Sequence, residues 1–271
     1  MVLAIILVVL VIITVVFTFV SPWWFTPLAS NWGTIDDALI ITFVITGIVF
    51  VAVTLFMALA IFKFHHKPGR RATFEPENKK LEWWLTGLTT VGIIAMLAPG
   101  LVVWAQYINP PAEARAFEAV GQQWSWNFRL PGQDGELGQA ATRFVSGDNP
   151  LGLDPQDPLG RDDIIIEGDD MHILLDQPVI VYLRSLDVLH DFYVPQFRAK
   201  MDLVPGMVTY FWFTPIRTGE FEILCAELCG VGHSQMRGIV IVEEAAAYQL
   251  WLADQLTFAE MMAEQEGDKN D

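Results

Sequence analysis

Three long stretches of this chain carry almost no charge, and they limit its possible folds more than any other feature. Val2 to Val20 is apolar apart from two threonines; a second run extends from about Ala38 to Phe62, and a third from about Trp83 to Gln106. Each is long enough to cross a hydrocarbon layer of about 30 Å as a helix. In lipid a helix satisfies its own backbone hydrogen bonds, so helix is the default for such runs. The first run also fits an export signal peptide. Against that, no Lys or Arg precedes it, and its exit, Phe19-Val20-Ser21-Pro22-Trp23-Trp24, is not a small-residue cleavage site. Trp23 and Trp24 read instead as interfacial anchors. We expect three spans, at about 2–20, 38–62 and 83–106, making residues 1–107 a transmembrane helical anchor.

The loops set an orientation. Lys63, Lys67, Arg70, Arg71, Lys79 and Lys80 all fall between the second and third runs, whereas residues 21–37 hold no Lys or Arg. The excess of basic residues on cytoplasmic loops then puts 63–82 and the N-terminus inside, and everything after 107 outside. His65 and His66 lie in the basic loop and read as a solvated face. The charge divides at the same point. Of the net −16, residues 1–107 contribute five acidic and six basic side chains, and residues 108–271 contribute 27 acidic and ten basic. An outer part with that balance repels nucleic acid and attracts a basic protein.

Past Pro110-Pro111 the pattern becomes short β-branched and aromatic runs between Gly, Pro and Asp turns. The runs are Ile164–Glu167, His172–Leu175, Val179–Arg184, Thr209–Thr214, Gly219–Leu224 and Gly238–Val242. Strands at this spacing predict an antiparallel sandwich or barrel over 108–244. Residues 131–163, rich in Gly, Pro, Asp and Gln, read as a long surface insertion. Residues 245–265 favour a helix, followed by a loose polar tail to 271.

The chemistry concentrates in one string, Cys225-Ala-Glu227-Leu-Cys229-Gly-Val-Gly-His233-Ser-Gln-Met236. His190 stands upstream, past the run through Val179–Leu186 and before Asp191-Phe192-Tyr193-Val194-Pro195. Soft sulfur donors with imidazole select copper, zinc or iron–sulfur. Mononuclear blue copper uses one thiolate, two imidazoles and a weak thioether, so two cysteines are one too many. A Cys₂His₂ zinc site leaves Met236 without a role. Two coppers bridged by both thiolates use all five side chains, one histidine to each metal, with Met236 and a backbone carbonyl completing the set. Taken singly, Cys225 and Cys229 would read as a disulfide, His190 as a satisfied strand-end histidine and Met236 as core. No CxxCH, phosphate-binding glycine loop or GxSxG elbow is present.

The 225–236 string, the segment Asp187-Val-Leu-His190, Lys200-Met-Asp202-Leu-Val-Pro205-Gly206 and Gly121-Gln-Gln-Trp124-Ser-Trp126 together resemble subunit II of the cytochrome c oxidases. The resemblance covers roughly residues 35–245. It implies a membrane-anchored α plus all-β protein, with N-terminal transmembrane helices followed by a cupredoxin-like antiparallel β sandwich. It implies that His190, Cys225, Cys229, His233 and Met236 hold a dinuclear copper (CuA) centre. Glu227 adds its backbone carbonyl and lends its carboxylate to a magnesium ion shared with subunit I. Trp124 matches the residue through which electrons enter from cytochrome c, soluble or tethered. Glu82 matches the mouth of a proton-uptake channel. The implied setting is a bacterial-type plasma membrane, with the copper domain on the periplasmic side. Two departures, Met207 where a basic residue is common and Gln122 where histidine is common, touch no copper ligand. The copper subunit of a nitric-oxide reductase and a copper-free quinol oxidase subunit remain as alternatives.

Overall fold

A computed structural model describes residues 1–21, 26–71, 74, 76–166, 168 and 170–268. The chain divides into two compact units, one of Met1–Thr26 with Thr34–Val103 and one of Pro27–Gly33 with Trp104–Asp271. Trp23, Trp24 and Glu167 lie outside the described residues.

The first unit contains α1 (Val2–Val20), most of α2 (Gly33–Lys63) and most of α3 (Lys79–Tyr107). All three are long and apolar enough to cross a membrane. They contain the expected runs, and α2 and α3 extend several residues beyond them. The extensions are polar, Gly33–Asp37 and Lys79–Glu82; a hydropathy pattern stops where charge begins, whereas helical hydrogen bonding does not. Asn78 Oδ1 accepts the Leu81 N–H at 3.1 Å, starting α3 with a side-chain cap. Apolar side chains are exposed all around these helices, as suits elements surrounded by lipid.

The second unit is a two-sheet sandwich. Its strands are β1 (Arg115–Gln122), β2 (Ser125–Leu130), β3 (Ile164–Ile166), β4 (Asp170–Leu174), β5 (Val179–Ser185), β6 (His190–Val194), β7 (Ala199–Leu203), β8 (Thr209–Phe213), β9 (Gly219–Cys225) and β10 (Arg237–Glu243). One sheet runs β3-β2-β1-β5-β8 and the other β4-β10-β9-β6-β7. The sandwich is cupredoxin-like as expected, but not purely antiparallel: β1 pairs with β5, and β4 with β10, in parallel. Between the sheets lies a core of Phe117, Phe128, Phe192, Phe197, Phe211, Phe213, Ile223 and Val240, all essentially fully buried. Each such side chain contributes roughly 1.5–3 kcal/mol by leaving water.

The insertion at 131–163 is not simply a surface loop. It folds over the outer face of β1 and β2, where Leu151 and Leu153 pack with Val120, Ile165 and Phe258. Under it lies an ionic cluster. Glu118 faces Arg129 across the β1–β2 register. Its carboxylate receives hydrogen bonds from Arg129 Nε at 3.1 Å and from Arg184 Nε and Nη2, both at 3.1 Å. Arg129 Nη1 also donates to Asp163 Oδ2 at 2.7 Å and to the Gly138 carbonyl at 2.8 Å. All four side chains are buried.

The C-terminal region forms two helices rather than one, α4 (Ala245–Ala253) and α5 (Phe258–Asp268). The break has a local cause. Thr257 and Glu260 form a capping box: Glu260 Oε2 accepts the Thr257 N–H at 2.8 Å, and Thr257 Oγ1 accepts the Glu260 N–H at 3.3 Å. α4 is held against β4 by His172, which stacks on Trp251 with centroids 4.3 Å apart and bonds Glu243 through Nδ1 at 2.8 Å.

The segment Pro27–Gly33 belongs to the sandwich. Ala29 N donates to the Gln196 carbonyl and Ile216 N to the Ala29 carbonyl, while Ser30 Oγ donates to the Phe197 carbonyl. Trp32, 2% exposed, packs against Tyr107 and Trp212 and donates its indole N–H to the Trp212 carbonyl at 2.7 Å.

Candidate metal centre

Three connections of the sandwich converge at one end: the β1–β2 turn at 123–124, the β5–β6 loop at 186–189 and the β9–β10 loop at 226–236. Cys225 is the last residue of β9, and its N–H bonds the Met236 carbonyl at 3.2 Å, tying the two ends of the third loop together. Inside this loop Gly230 takes φ +125°, open to glycine. A Cβ on Gly232 would lie 2.4 Å from the Trp124 ring, so the loop backbone rests directly on that indole.

The donors gather around two thiols. Cys225 Sγ and Cys229 Sγ stand 3.7 Å apart, both buried and unbonded. His190 Nδ1 approaches Cys225 Sγ at 3.8 Å, and His233 Nδ1 approaches Cys229 Sγ at 3.6 Å. Met236 Sδ lies 3.9 Å from Cys229 Sγ, and the Glu227 carbonyl 3.3 Å from Cys225 Sγ. The donor atoms of His190, Cys225 and Cys229 all lie within 4.8 Å of one another. So the structure brings all six sequence-predicted ligands together, each imidazole against a different thiol. This set fits soft metal: two thiols, with two imidazoles, a thioether and a carbonyl each within 3.9 Å of one of them.

His190 opens β6 rather than closing β5. Asp187 Oδ1 accepts from its Nε2 at 2.8 Å; a carboxylate only accepts, so Nε2 carries a proton and the ring is turned with Nδ1 toward Cys225. Burial works against ionising Asp187. Hydrogen bonds from His190 and from the Val188 and Gln123 N–H groups outweigh it and hold the carboxyl below its usual range. The thiols differ. Burial pushes Cys225 up, but His190 and neighbouring main-chain groups prevail and bring it to about 6. Burial and the adjacent Cys225 push Cys229 up to about 11.

Trp124 sits in the β1–β2 turn with 38% of its surface exposed, and its indole N–H donates to the Cys229 carbonyl at 3.3 Å. Trp126 is fully buried, edge-on to Phe192 and His190. The two do not share a face by strand alternation, because residue 124 is in the turn and β2 begins at Ser125. Glu82 lies in the first turn of α3 within the helical unit, apart in sequence and unit from the copper-type ligands. Sequence reasoning missed Asp187 and Gln123 as site residues; the Asp-x-x-His spacing of 187–190 was the available signal for the first.

Comparison with known proteins decides the family. Residues 116–244 match the model of the cytochrome c oxidase subunit II periplasmic domain. The chain is 61% identical over 259 residues, 96% of this chain and 94% of the other, to the alternative cytochrome c oxidase subunit 2 of Bradyrhizobium diazoefficiens. The chain belongs to the cytochrome c oxidase subunit 2 family. It is also 29% identical to the subunit 2 of Cereibacter sphaeroides, over 84% of this chain and 77% of that one. Among solved structures, the periplasmic domain of subunit II of Bradyrhizobium japonicum cytochrome oxidase is 26% identical, with a TM-score of 0.40, over 54% of this chain and 95% of that chain. A member of this family is a subunit of a haem–copper oxidase, and the family binds copper.

Proposed function

We propose that the chain is the electron-entry subunit of a respiratory cytochrome c oxidase. Single electrons from cytochrome c, soluble or tethered, arrive at a dinuclear copper centre held by His190, Cys225, Glu227, Cys229, His233 and Met236. They pass to haem in subunit I, where oxygen is reduced to water and protons are pumped. The supporting observation is the pairing of each imidazole with a different thiol, 3.8 Å and 3.6 Å away, around thiols 3.7 Å apart. A mononuclear blue-copper site has no use for the second thiol, and a Cys₂His₂ zinc site has none for Met236. When bound, the copper pair supplies a one-electron carrier whose charge is shared across both thiolates.

The protein's part is to keep the donors still. His190 and Cys225 sit on adjacent strands, held by the β6–β9 ladder, with Phe192 opposite Cys225. The Asp187 bond fixes the His190 ring, and the Cys225–Met236 main-chain bond closes the loop. Trp124 offers an exposed aromatic edge bonded directly to the Cys229 carbonyl, which suits electron entry. Glu227 turns its carbonyl to Cys225, and its carboxylate serves a magnesium ion shared with subunit I. Glu82, at the start of α3 beside Lys79 and Lys80, serves as the mouth of a proton-uptake channel. The excess of basic residues in 63–82 supports a cytoplasmic setting for that end and a periplasmic one for the copper domain.

Metal analysis and paramagnetic spectra of the intact complex test this. The expected result is two coppers in the domain and a mixed-valence signal with the unpaired electron shared between them. Cys229→Ser should abolish that signal, since a hydroxyl does not replace a bridging thiolate; Met236→Leu should keep a perturbed dinuclear signal. One copper, zinc, or no metal in the wild type would overturn the reading, as would an unaltered signal in Cys229→Ser.

A further inference from the structure

The two halves of the candidate centre come from different loops. His190 is oriented from the 186–189 loop through Asp187, and Cys229 and His233 belong to the 226–236 loop. Sharing an electron between two metals depends steeply on their separation and on the angles at the bridging sulfurs, so something must fix one loop against the other. Gln123, in the β1–β2 turn, touches both. Its main-chain N–H donates to Asp187 Oδ2 at 2.7 Å, and the other oxygen of that carboxylate holds His190 Nε2 at 2.8 Å. Its side-chain Nε2 donates to the Cys229 carbonyl at 2.8 Å, shorter than the 3.3 Å bond from Trp124 to the same oxygen. The fit is close: a Cβ on Gly230 would stand 3.0 Å from Gln123 Nε2, so the loop approaches the amide with no room for a side chain.

We propose that Gln123 is a positioning residue for the copper centre, clamping the histidine loop and the cysteine loop to each other through its two ends. The inference rests on the copper reading above. The main-chain bond depends on the turn and survives substitution; the side-chain bond does not. A residue of equal length without a donor releases the Cys229 carbonyl. One with a carboxylate sets acceptor against acceptor and pushes the loop away.

The test compares the intact wild-type complex with Gln123→Met and Gln123→Glu. Gln123 is exposed at the surface, so neither change threatens the core. Copper content, continuous-wave spectra and pulsed measurements of imidazole nitrogen couplings are read for each. Both variants are expected to keep two coppers but to share the electron unequally between them. Gln123→Glu should depart further than Gln123→Met, and the couplings of both histidines should shift, because the clamp spans both halves. Spectra of both variants superimposable on wild type, with only the KM for cytochrome c raised, would overturn the proposal and make Gln123 a donor-docking residue. A wild type without two coppers would instead defeat the copper reading itself, before any variant is compared.

Discussion

Trp124 and Trp126 stand two residues apart and occupy opposite environments, one at the surface against Cys229, the other sealed in the core against His190. Trp124→Phe retains most of the apolar area but loses the indole and its N–H bond. The expected outcome is a large fall in the rate of electron injection at saturating cytochrome c with a small change in affinity, measured by flash-initiated transfer. Trp126→Phe should slow injection far less, its cost falling on stability through an underpacked core; an equal loss in both would assign entry to the wrong residue. The candidate donors themselves were legible as a cluster, since Cys225, Cys229, His233 and Met236 lie within twelve residues. Their supports were not: Asp163 and Glu118 are 45 residues apart in sequence and meet only through Arg129. That cluster predicts a pH signature. Burial raises Asp163 to about 6, against the opposing pull of Arg129, so its contribution to stability is present at low pH and lost as pH rises from its unfolded value near 4 through 6. Glu118 runs the other way: burial opposes its ionisation, but Arg129 and Arg184 hold it below its ordinary range, and its contribution is lost only as pH falls below about 4. Asp163→Asn should therefore flatten the change in unfolding midpoint between pH 4 and pH 7 relative to wild type; a parallel profile would remove Asp163 from that account.

Among the elements, the strands legible in advance were those with clear runs or alternation. β10 alternates buried and part-exposed positions, as a strand with one covered face should. β1 and β2 were missed because they do not: five consecutive β1 positions are buried, the insertion and α5 covering the face that water would otherwise wet. β6 and β7 were hidden within the segments recognised for their chemistry. The split between α4 and α5 was written in Thr257-Phe-Ala-Glu260, a capping box that composition alone passes over. The least legible element is Pro27–Gly33, which lies between two apolar runs yet completes the sandwich, with Ala29, Ser30 and Trp32 buried in it. A copper domain produced from residue 108 onward lacks this segment and also Tyr107, which stacks on Phe211 at 5.7 Å. Such a fragment should unfold at a lower temperature than one starting at 104 with residues 27–33 joined to it by a flexible linker. Trp32→Ala in the joined form should return it to the behaviour of the short one, by about 3–5 kcal/mol for a buried tryptophan. Equal melting of all three would show that the segment merely rests on the surface.

For the molecule as a whole, the division of charge matters more than its total. Residues 108–271 hold 27 acidic and ten basic side chains, and the exposed edge of Trp124 opens on the same part of the chain. Under the proposed function, encounter with a basic donor is steered by charge, and steering fades as the screening length shrinks from about 10 Å at 0.1 M salt. The KM for a basic cytochrome c should rise steeply with ionic strength in steady-state turnover, and a salt-independent KM would mean that docking rests on apolar contact alone. The pairing of Trp32 with Trp212 carries a further meaning, one of time. The two residues are 180 positions apart, and the early one is synthesised first. At about 5–20 residues per second, roughly 10–40 s pass before its partner exists. Throughout that interval the indole of Trp32 has no pocket to enter, and the sandwich is sealed only when a segment made near the beginning meets strands made near the end.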